Sequence, residues 1–203
     1  MGRAGDSLSP VLIWINGPFG VGKTQAAHEL HRRLPGSFLC DPEHLGFGIQ
    51  RMTPPELRGD FQDVPLWRSG VLSVLDDSLT RSSTALIVPM TLVSPAYFDE
   101  IVGGLRQRGH TVHHVMLLAS RRVLLRRLRS RTEGSRSWGA AQIQRCLDGL
   151  AQLDPADAIQ TDGLSHAAVV EEVARHAQLT LIPNQSTPLR QTLRRLAIRF
   201  RER

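Results

Sequence analysis

The chain has 203 residues, of which 41% are hydrophobic and 22% are charged, and its formal net charge at pH 7 is +6. This is the composition of an ordinary globular protein, and the length favours one domain with a substantial core. No apolar run approaches the roughly 18 residues of a transmembrane helix, and the first ten residues lack the apolar segment of a secretory signal. We therefore expect a cytoplasmic protein in which Cys40 and Cys146 are reduced, buried thiols.

The positive charge is concentrated in two stretches. Seven arginines lie between residues 121 and 136, and six lie between residues 189 and 203. A nucleic-acid-binding protein usually combines such charge with aromatic side chains or a reading helix. Because neither stretch shows that combination, we expect no nucleic-acid partner and two local uses of arginine.

Strand and helix patterns alternate along the chain. Short apolar runs predict five strands, at Val11–Ile15, Ser37–Cys40, Ala85–Val88, Thr111–Leu118 and Ala158–Gln160. Three- and four-residue apolar spacing predicts helices at Gln25–Leu34, Leu45–Arg51, Leu66–Arg81, from Ser94-Pro95 to about Leu105, from Ser120 to about Arg131, around Ile143–Leu153 and at Ser165–His176. Residues 56–64 give a weak signal. The alternation predicts an α/β fold with a parallel sheet covered on both faces, with ligands beyond the carboxyl ends of the strands.

The segment between the first strand and the first helix matches the phosphate-binding pattern G-x-x-x-x-G-K-[ST]. Its glycines let backbone N–H groups point at phosphate oxygens, and the helix that follows adds positive potential. Lys23, the only lysine in the chain, is expected to reach the β- and γ-phosphates, and the Thr24 hydroxyl to hold Mg²⁺. The predicted ATP-binding residues are Gly17, Phe19, Gly20, Val21, Gly22, Lys23, Thr24, Gln25 and Arg127.

Arginines after the fourth strand suggest a lid over the phosphates. Arg127 and Arg131 are four residues apart on a predicted helix and share a face, and a Gly/Ser-rich loop carrying Arg136 follows. This arrangement, at about residues 127–138, resembles the lid of small P-loop kinases. A solvated arginine-rich helix is the alternative.

The best candidate for a base, or for a group that orients the acceptor hydroxyl, is Asp41 at the end of the second strand. It also fits the N-cap of the next helix, and the two roles are compatible. His44 is a weaker candidate base, and His113 and His114, in mid-strand, are expected to be structural. The predicted acceptor-binding residues are Asp41, His44, Phe47, Arg51, Gln62, Trp67, Arg68, Thr91 and Arg136, although Trp67 fits a core position equally well.

Two absences narrow the class of P-loop protein. No acidic residue ends the strand Ala85–Val88, where motor-type ATPases place a carboxylate for Mg²⁺. An N-K-x-D guanine-reading motif would need a second lysine. A small-molecule kinase is therefore favoured over a motor ATPase or a GTPase.

The end of the chain predicts a basic amphipathic helix. Within Thr187–Arg203, the apolar residues Leu189, Leu193, Leu196 and Phe200 form one stripe and arginines lie elsewhere. Such a helix can lie on anionic lipid, pack on the domain or fray. We therefore divide the chain into a domain at 1–183 and a helix at 184–203, with peripheral membrane contact as one alternative.

Several motifs resemble the bacterial tunicamycin-resistance proteins. They lie at Trp14–Gln25, Glu29–Leu34, Asp41–Phe47, Phe61–Arg68, Leu86–Thr91, Arg127–Arg131 and Ile159–Asp162. The resemblance implies an adenylate-kinase-like P-loop fold, ATP binding and phosphorylation of tunicamycin, a lipid-tailed uridine nucleoside antibiotic. It also implies that the Asp41 and Trp67 motifs lie near the acceptor.

The expected function is thus an ATP- and Mg²⁺-dependent kinase that phosphorylates a hydroxyl of tunicamycin. Two alternatives stay open: a protein that binds ATP and the drug without chemistry, and a metabolic kinase of the nucleoside or shikimate type. The pattern leaves the oligomeric state open.

Overall fold

The computed structural model describes residues 10–129 and 138–184. Five parallel strands form one sheet, with β1 at Val11–Asn16, β2 at Ser37–Leu39, β3 at Ala85–Pro89, β4 at Thr111–Leu118 and β5 at Ala158–Gln160. Their order across the sheet is β2-β3-β1-β4-β5. The predicted α/β fold with a five-stranded parallel sheet is confirmed, and the predicted strand ends agree to within a residue.

Helices connect the strands and cover both faces. They are α1 (Lys23–Arg33), α2 (Glu43–Met52), α3 (Pro65–Arg81), α4 (Pro95–Phe98), α5 (Gly104–Gln107), α6 (Arg121–Arg129), α7 (Trp138–Leu150) and α8 (His166–His176). Short 3-10 turns lie at Pro55–Leu57, Phe61–Asp63 and Pro155–Asp157. No helix in residues 10–129 and 138–184 is long and apolar enough to cross a membrane.

The central strand β1 shows why the strands are continuous apolar runs in the sequence. Ile13 and Ile15 enter one core, which α1, α6 and α8 complete. Leu12 and Trp14 enter a second core on the other face, against α3 and α5. Since both faces are covered, every residue of β1 is buried, as expected for a parallel sheet between two helical layers.

Two details differ from the predicted helices. The helix expected from Ser94 contains a π-helical turn at Asp99–Gly103 between α4 and α5. Apolar spacing alone does not reveal such a turn, because Ile101 and Leu105 are buried in either case. The weakly patterned residues 56–64 contain two of the 3-10 turns, which are too short to produce a periodic signal.

Some predictions fall outside the described residues. Residues 130–137 of the predicted lid and residues 185–203 of the predicted C-terminal helix belong to this group, so the division at 183/184 stays a prediction. The described chain approaches its end beside the last turn of α1, where the backbone N–H of Ile182 donates to the carbonyl of Arg33 at 2.9 Å.

Candidate active site

The phosphate loop, residues 17–24, joins β1 to α1 at the carboxyl edge of the sheet. Gly17, Gly20 and Gly22 have φ values of 144°, 83° and 110°, in a region that favours glycine. A Cβ on Gly17 would meet the Leu117 carbonyl oxygen and, at 2.9 Å, a methyl group of Val21. A Cβ on Gly20 would come within 2.9 Å of the Leu128 side chain. The loop therefore requires glycine for both its backbone conformation and its close packing.

The start of α1 suits an anion. The N-cap residue of this helix is Gly22, which has no side chain to cap it, and the first turn contains no acidic residue. The N-terminus of a helix directs backbone N–H groups and partial positive charge outward. Thr24 is the second residue of α1, while Gln25 and Val21 are buried beside it. This arrangement could hold a phosphate chain and, through the Thr24 hydroxyl, its Mg²⁺.

The ammonium group of Lys23 lies over the loop itself. Its Nζ donates to the carbonyl oxygens of Gly17 at 2.9 Å and Pro18 at 3.3 Å. It also lies 5.5 Å from the centre of the Phe19 ring. These contacts hold the charge at the mouth of the loop, from which the flexible stem can reach phosphate oxygens.

Asn16, at the end of β1, fixes the entry to the loop and was not among the predicted site residues. Its Oδ1 accepts hydrogen bonds from the backbone N–H groups of Gly17 at 2.8 Å and Leu92 at 2.9 Å. Its Nδ2 donates to the Leu92 carbonyl at 2.8 Å. The sequence signal was available: a polar residue ends an otherwise apolar strand immediately before the loop.

Two predicted acceptor residues connect to the same loop. The hydroxyl of Thr91 donates to the Gly17 carbonyl at 2.9 Å. The side-chain amide of Gln62 donates to the Thr91 carbonyl at 3.0 Å. A continuous hydrogen-bonded path therefore runs from the segment that contains Gln62 to the phosphate loop.

We define residues 41–68, which contain most of the predicted acceptor-binding residues, as the acceptor segment. Arg68, at its end, donates from Nη1 to the Gln62 carbonyl and from Nε to Glu100, each at 2.6 Å. Its guanidinium group also lies 4.2 Å from the centre of the Tyr97 ring. The side chain is 11% exposed. Arg68 thus fixes the backbone at Gln62 and points its charge at Glu100.

Asp41 lies just after β2, at the start of the acceptor segment. Its Oδ1 accepts a hydrogen bond from the Glu43 backbone N–H at 2.9 Å, so it caps the start of α2. Burial raises the pKa of the neighbouring Cys40 to about 11, and the charge of Asp41 adds to this shift. Cys40 is therefore a neutral thiol near pH 7, and the role of Asp41 as a base stays a prediction.

Three aromatic rings pack together within the acceptor segment. Trp67 is fully buried, and its indole N–H donates to the Pro42 carbonyl at 3.0 Å. Of its two predicted alternatives, the structure shows the core position. Phe61 packs on Trp67 at 5.3 Å, and Phe47 meets Phe61 edge-on at 6.1 Å between ring centres. Phe47 is 44% exposed.

Apart from Arg127, the remaining predicted site residues are His44, Arg51, Arg131 and Arg136. His44 and Arg51 are exposed on α2. Arg131 and Arg136 lie outside the described residues. Their places in the acceptor pocket or the lid stay predictions.

Arg127 reaches the phosphate loop from α6. Its Nη1 donates to the Val21 carbonyl at 3.0 Å and to the Thr161 hydroxyl at 3.1 Å, and its Nη2 donates to the Thr161 carbonyl at 3.1 Å. Burial lowers the pKa of Arg127, and the charge of Asp162 opposes that shift. In this conformation Arg127 joins the loop to the end of β5.

The chain is similar to a protein-family model and to several solved structures. A family model described as an AAA domain matches residues 12–156. The tunicamycin resistance protein of Deinococcus radiodurans is 39% identical and has a TM-score of 0.73, over 87% of this chain and 99% of that one. The chain belongs to the tunicamycin-resistance protein family. A comparison with curated proteins gave no match.

Structures of small-molecule kinases share the fold of this tunicamycin-resistance family member. A gluconokinase from Sinorhizobium meliloti 1021 is 18% identical with a TM-score of 0.62, over 94% of this chain and 99% of that one. A shikimate kinase from Bacteroides thetaiotaomicron is 19% identical with a TM-score of 0.58, over 83% and 99%. At these identities the likeness concerns the fold.

The family motifs meet in the described structure. The residues Gln62, Thr91 and Thr161 come from three separate motifs, and each bonds to the loop or to a residue that does. In this tunicamycin-resistance family member, three motifs outside the phosphate loop are therefore connected to the loop by one or two hydrogen bonds.

Proposed function

We propose that this protein transfers the γ-phosphoryl group of ATP to a hydroxyl of tunicamycin or a closely related nucleoside. The observation that carries the proposal is the path from Gln62 through Thr91 to Gly17, because it ties the acceptor segment to the phosphate loop. Phosphoryl transfer depends chiefly on positioning two substrates against each other. Membership of the tunicamycin-resistance family supports tunicamycin as the substrate. The fold shared with small-molecule kinases supports phosphoryl transfer as the reaction.

The residues present fit ATP and Mg²⁺. The start of α1, whose N-cap is Gly22, and the glycine-lined loop would accommodate phosphates, and Thr24 would be the protein ligand of the metal. No group of three or more His, Cys, Asp or Glu side chains that could hold a metal occurs in residues 10–129 and 138–184. One hydroxyl fits this site, since Mg²⁺ binds largely through phosphates and waters. When bound, the ion would neutralise charge on the phosphate oxygens.

Each side chain then has a defined task. Lys23 would exchange its bonds to Gly17 and Pro18 for bonds to the β- and γ-phosphates. Asp41 would orient the acceptor hydroxyl and take its proton as the oxygen attacks the γ-phosphorus, while ADP leaves. Arg127 would hold the Val21 carbonyl, or turn from it to the transferring group together with Arg131 and Arg136 of the lid.

The deciding experiment is mass spectrometry of tunicamycin incubated with the pure protein, Mg²⁺ and ATP. We expect a mass gain of one phosphate that is absent with Lys23→Ala. Arg121→Ala is the matched control, because Arg121 is an exposed cation at the start of α6. Drug that binds but never gains mass would contradict the kinase proposal and favour sequestration. Turnover of a metabolite with indifference to tunicamycin would favour a metabolic kinase.

A further inference from the structure

A chain of polar side chains, two of them buried, connects the far edge of the sheet to the phosphate loop. Asp157, just before β5, accepts a hydrogen bond at Oδ2 from His114 Nδ1 at 2.5 Å. On the other side of the imidazole, His114 Nε2 lies 3.3 Å from Asn16 Nδ2. Asn16 in turn holds the backbone N–H of Gly17. His114 is 2% exposed and Asn16 is fully buried.

The hydrogen-bond inventory fixes the tautomer of His114. Asn16 Oδ1 accepts from two backbone N–H groups, so the other side-chain atom must be the amide nitrogen, a donor only. One of its hydrogens goes to the Leu92 carbonyl and the other points at His114 Nε2. Nε2 must therefore be the acceptor, and the imidazole proton lies on Nδ1, facing Asp157.

We propose that His114 is a positioning residue of the phosphate loop, which as the neutral Nδ1–H tautomer holds the Asn16 amide and on protonation releases it. In the imidazolium form, Nε2–H would face Nδ2–H, and two donors cannot bond each other. An amide hydrogen left unpaired in the core is costly. Asn16 would then rotate, and the Gly17 and Leu92 N–H groups would lose their shared acceptor.

The surrounding charges act on the other end of the chain. Oδ1 of Asp157 also lies 3.5 Å from Nε2 of His176 in α8. Burial raises the pKa of Asp157, but the hydrogen bond from His114 and neighbouring charges, including those of His176 and Arg106, outweigh it, so this pKa is lowered. The Phe98 ring packs edge-on to the His114 imidazole at 4.5 Å. His113, the next residue on β4, is half-buried and makes a matched control.

The first test follows the loop without nucleotide. In the full chain, NMR resonances of the Gly17 and Leu92 amides should shift with pH at the same midpoint as the His114 imidazole. His114→Gln keeps an acceptor oxygen for Asn16 but does not titrate, so it should abolish these shifts, whereas His113→Gln should preserve them. Amide signals that ignore the titration of His114 would overturn the inference.

The second test rests on the ATP binding of the proposed function. The affinity of the wild-type protein and His113→Gln for Mg²⁺–ATP should fall by up to about tenfold per pH unit once the pH lies below the midpoint that the first test measures. His114→Gln should lack this fall, and the titration of ATP itself cancels between variants. An unchanged fall in His114→Gln would refute the inference. Coupled amide shifts without ATP binding at any pH would instead refute the proposed function and leave the positioning role standing.

Discussion

The phosphate loop and the acceptor segment meet through Gln62 and Thr91, yet they are built in different ways. The loop is made of backbone: glycines in special conformations, a helix start and carbonyl groups held by Lys23, Thr91 and Arg127. The acceptor segment consists of α2, two 3-10 turns and the start of α3, and its side chains hold it together. It leaves large apolar groups uncovered, with Met52 at 87% and Leu57 at 71% exposure. The phosphate loop is thus pre-organised, while the acceptor segment has exposed apolar surface, which a bulky apolar ligand would cover under the proposed function.

The largest effect should come from removing the charge of the phosphate side. Lys23→Ala is expected to reduce phosphoryl transfer by about a thousandfold or more, because the γ-phosphoryl loses its main cation within the loop. The measurement is the rate of phosphate incorporation into tunicamycin. Arg121→Ala should leave this rate within about twofold. Equal losses in both variants would mean that the net charge matters and not the loop.

Asp41 should give the next largest effect, on the acceptor side. Asp41→Asn retains an oxygen that can cap α2 but cannot take a proton, so turnover should fall about a hundredfold with little change in ATP affinity. The matched control is Asp77→Asn on the exposed face of α3, where the carboxylate pairs only with Arg81 among the contacts found. Full transfer by Asp41→Asn would assign the base elsewhere, and intact resistance without transfer would indicate sequestration.

The two sides also differed in what the sequence revealed. The loop could be predicted because four spaced residues encode a backbone shape, and the strand ends because both faces of the sheet are apolar. A polar residue at the end of an apolar strand marked Asn16, but its partners Leu92 and His114 could not be predicted, because they are distant in sequence. The same holds for Trp67: its apolar spacing suited a core or a pocket, and only the contact with the Pro42 carbonyl shows which.

Thr91 tests the connection between the two sides. Thr91→Val keeps the shape but removes the hydroxyl that donates to the Gly17 carbonyl, which keeps its bond from Lys23. The loop therefore loses one buried hydrogen bond, at a cost of about 0.5–1.5 kcal/mol. We expect ATP affinity to fall about tenfold, measured by calorimetry. Thr53→Val is the control, since its hydroxyl bonds only to Ile49 of α2 among the contacts found. A loss in acceptor binding with unchanged ATP affinity would show that Thr91 serves the acceptor alone.

The smallest effect should come from the uncovered apolar surface. Phe47→Ser is expected to raise the KM for tunicamycin about fivefold while leaving kcat and the free energy of unfolding nearly unchanged, because a ring that is 44% exposed contributes more by covering a ligand than by filling the core. Phe38→Ser is the matched control: Phe38 is 58% exposed on β2, outside the acceptor segment. The ratio of the two KM values isolates the contribution of position from that of apolar area. Equal KM values would mean that tunicamycin does not contact Phe47 of α2.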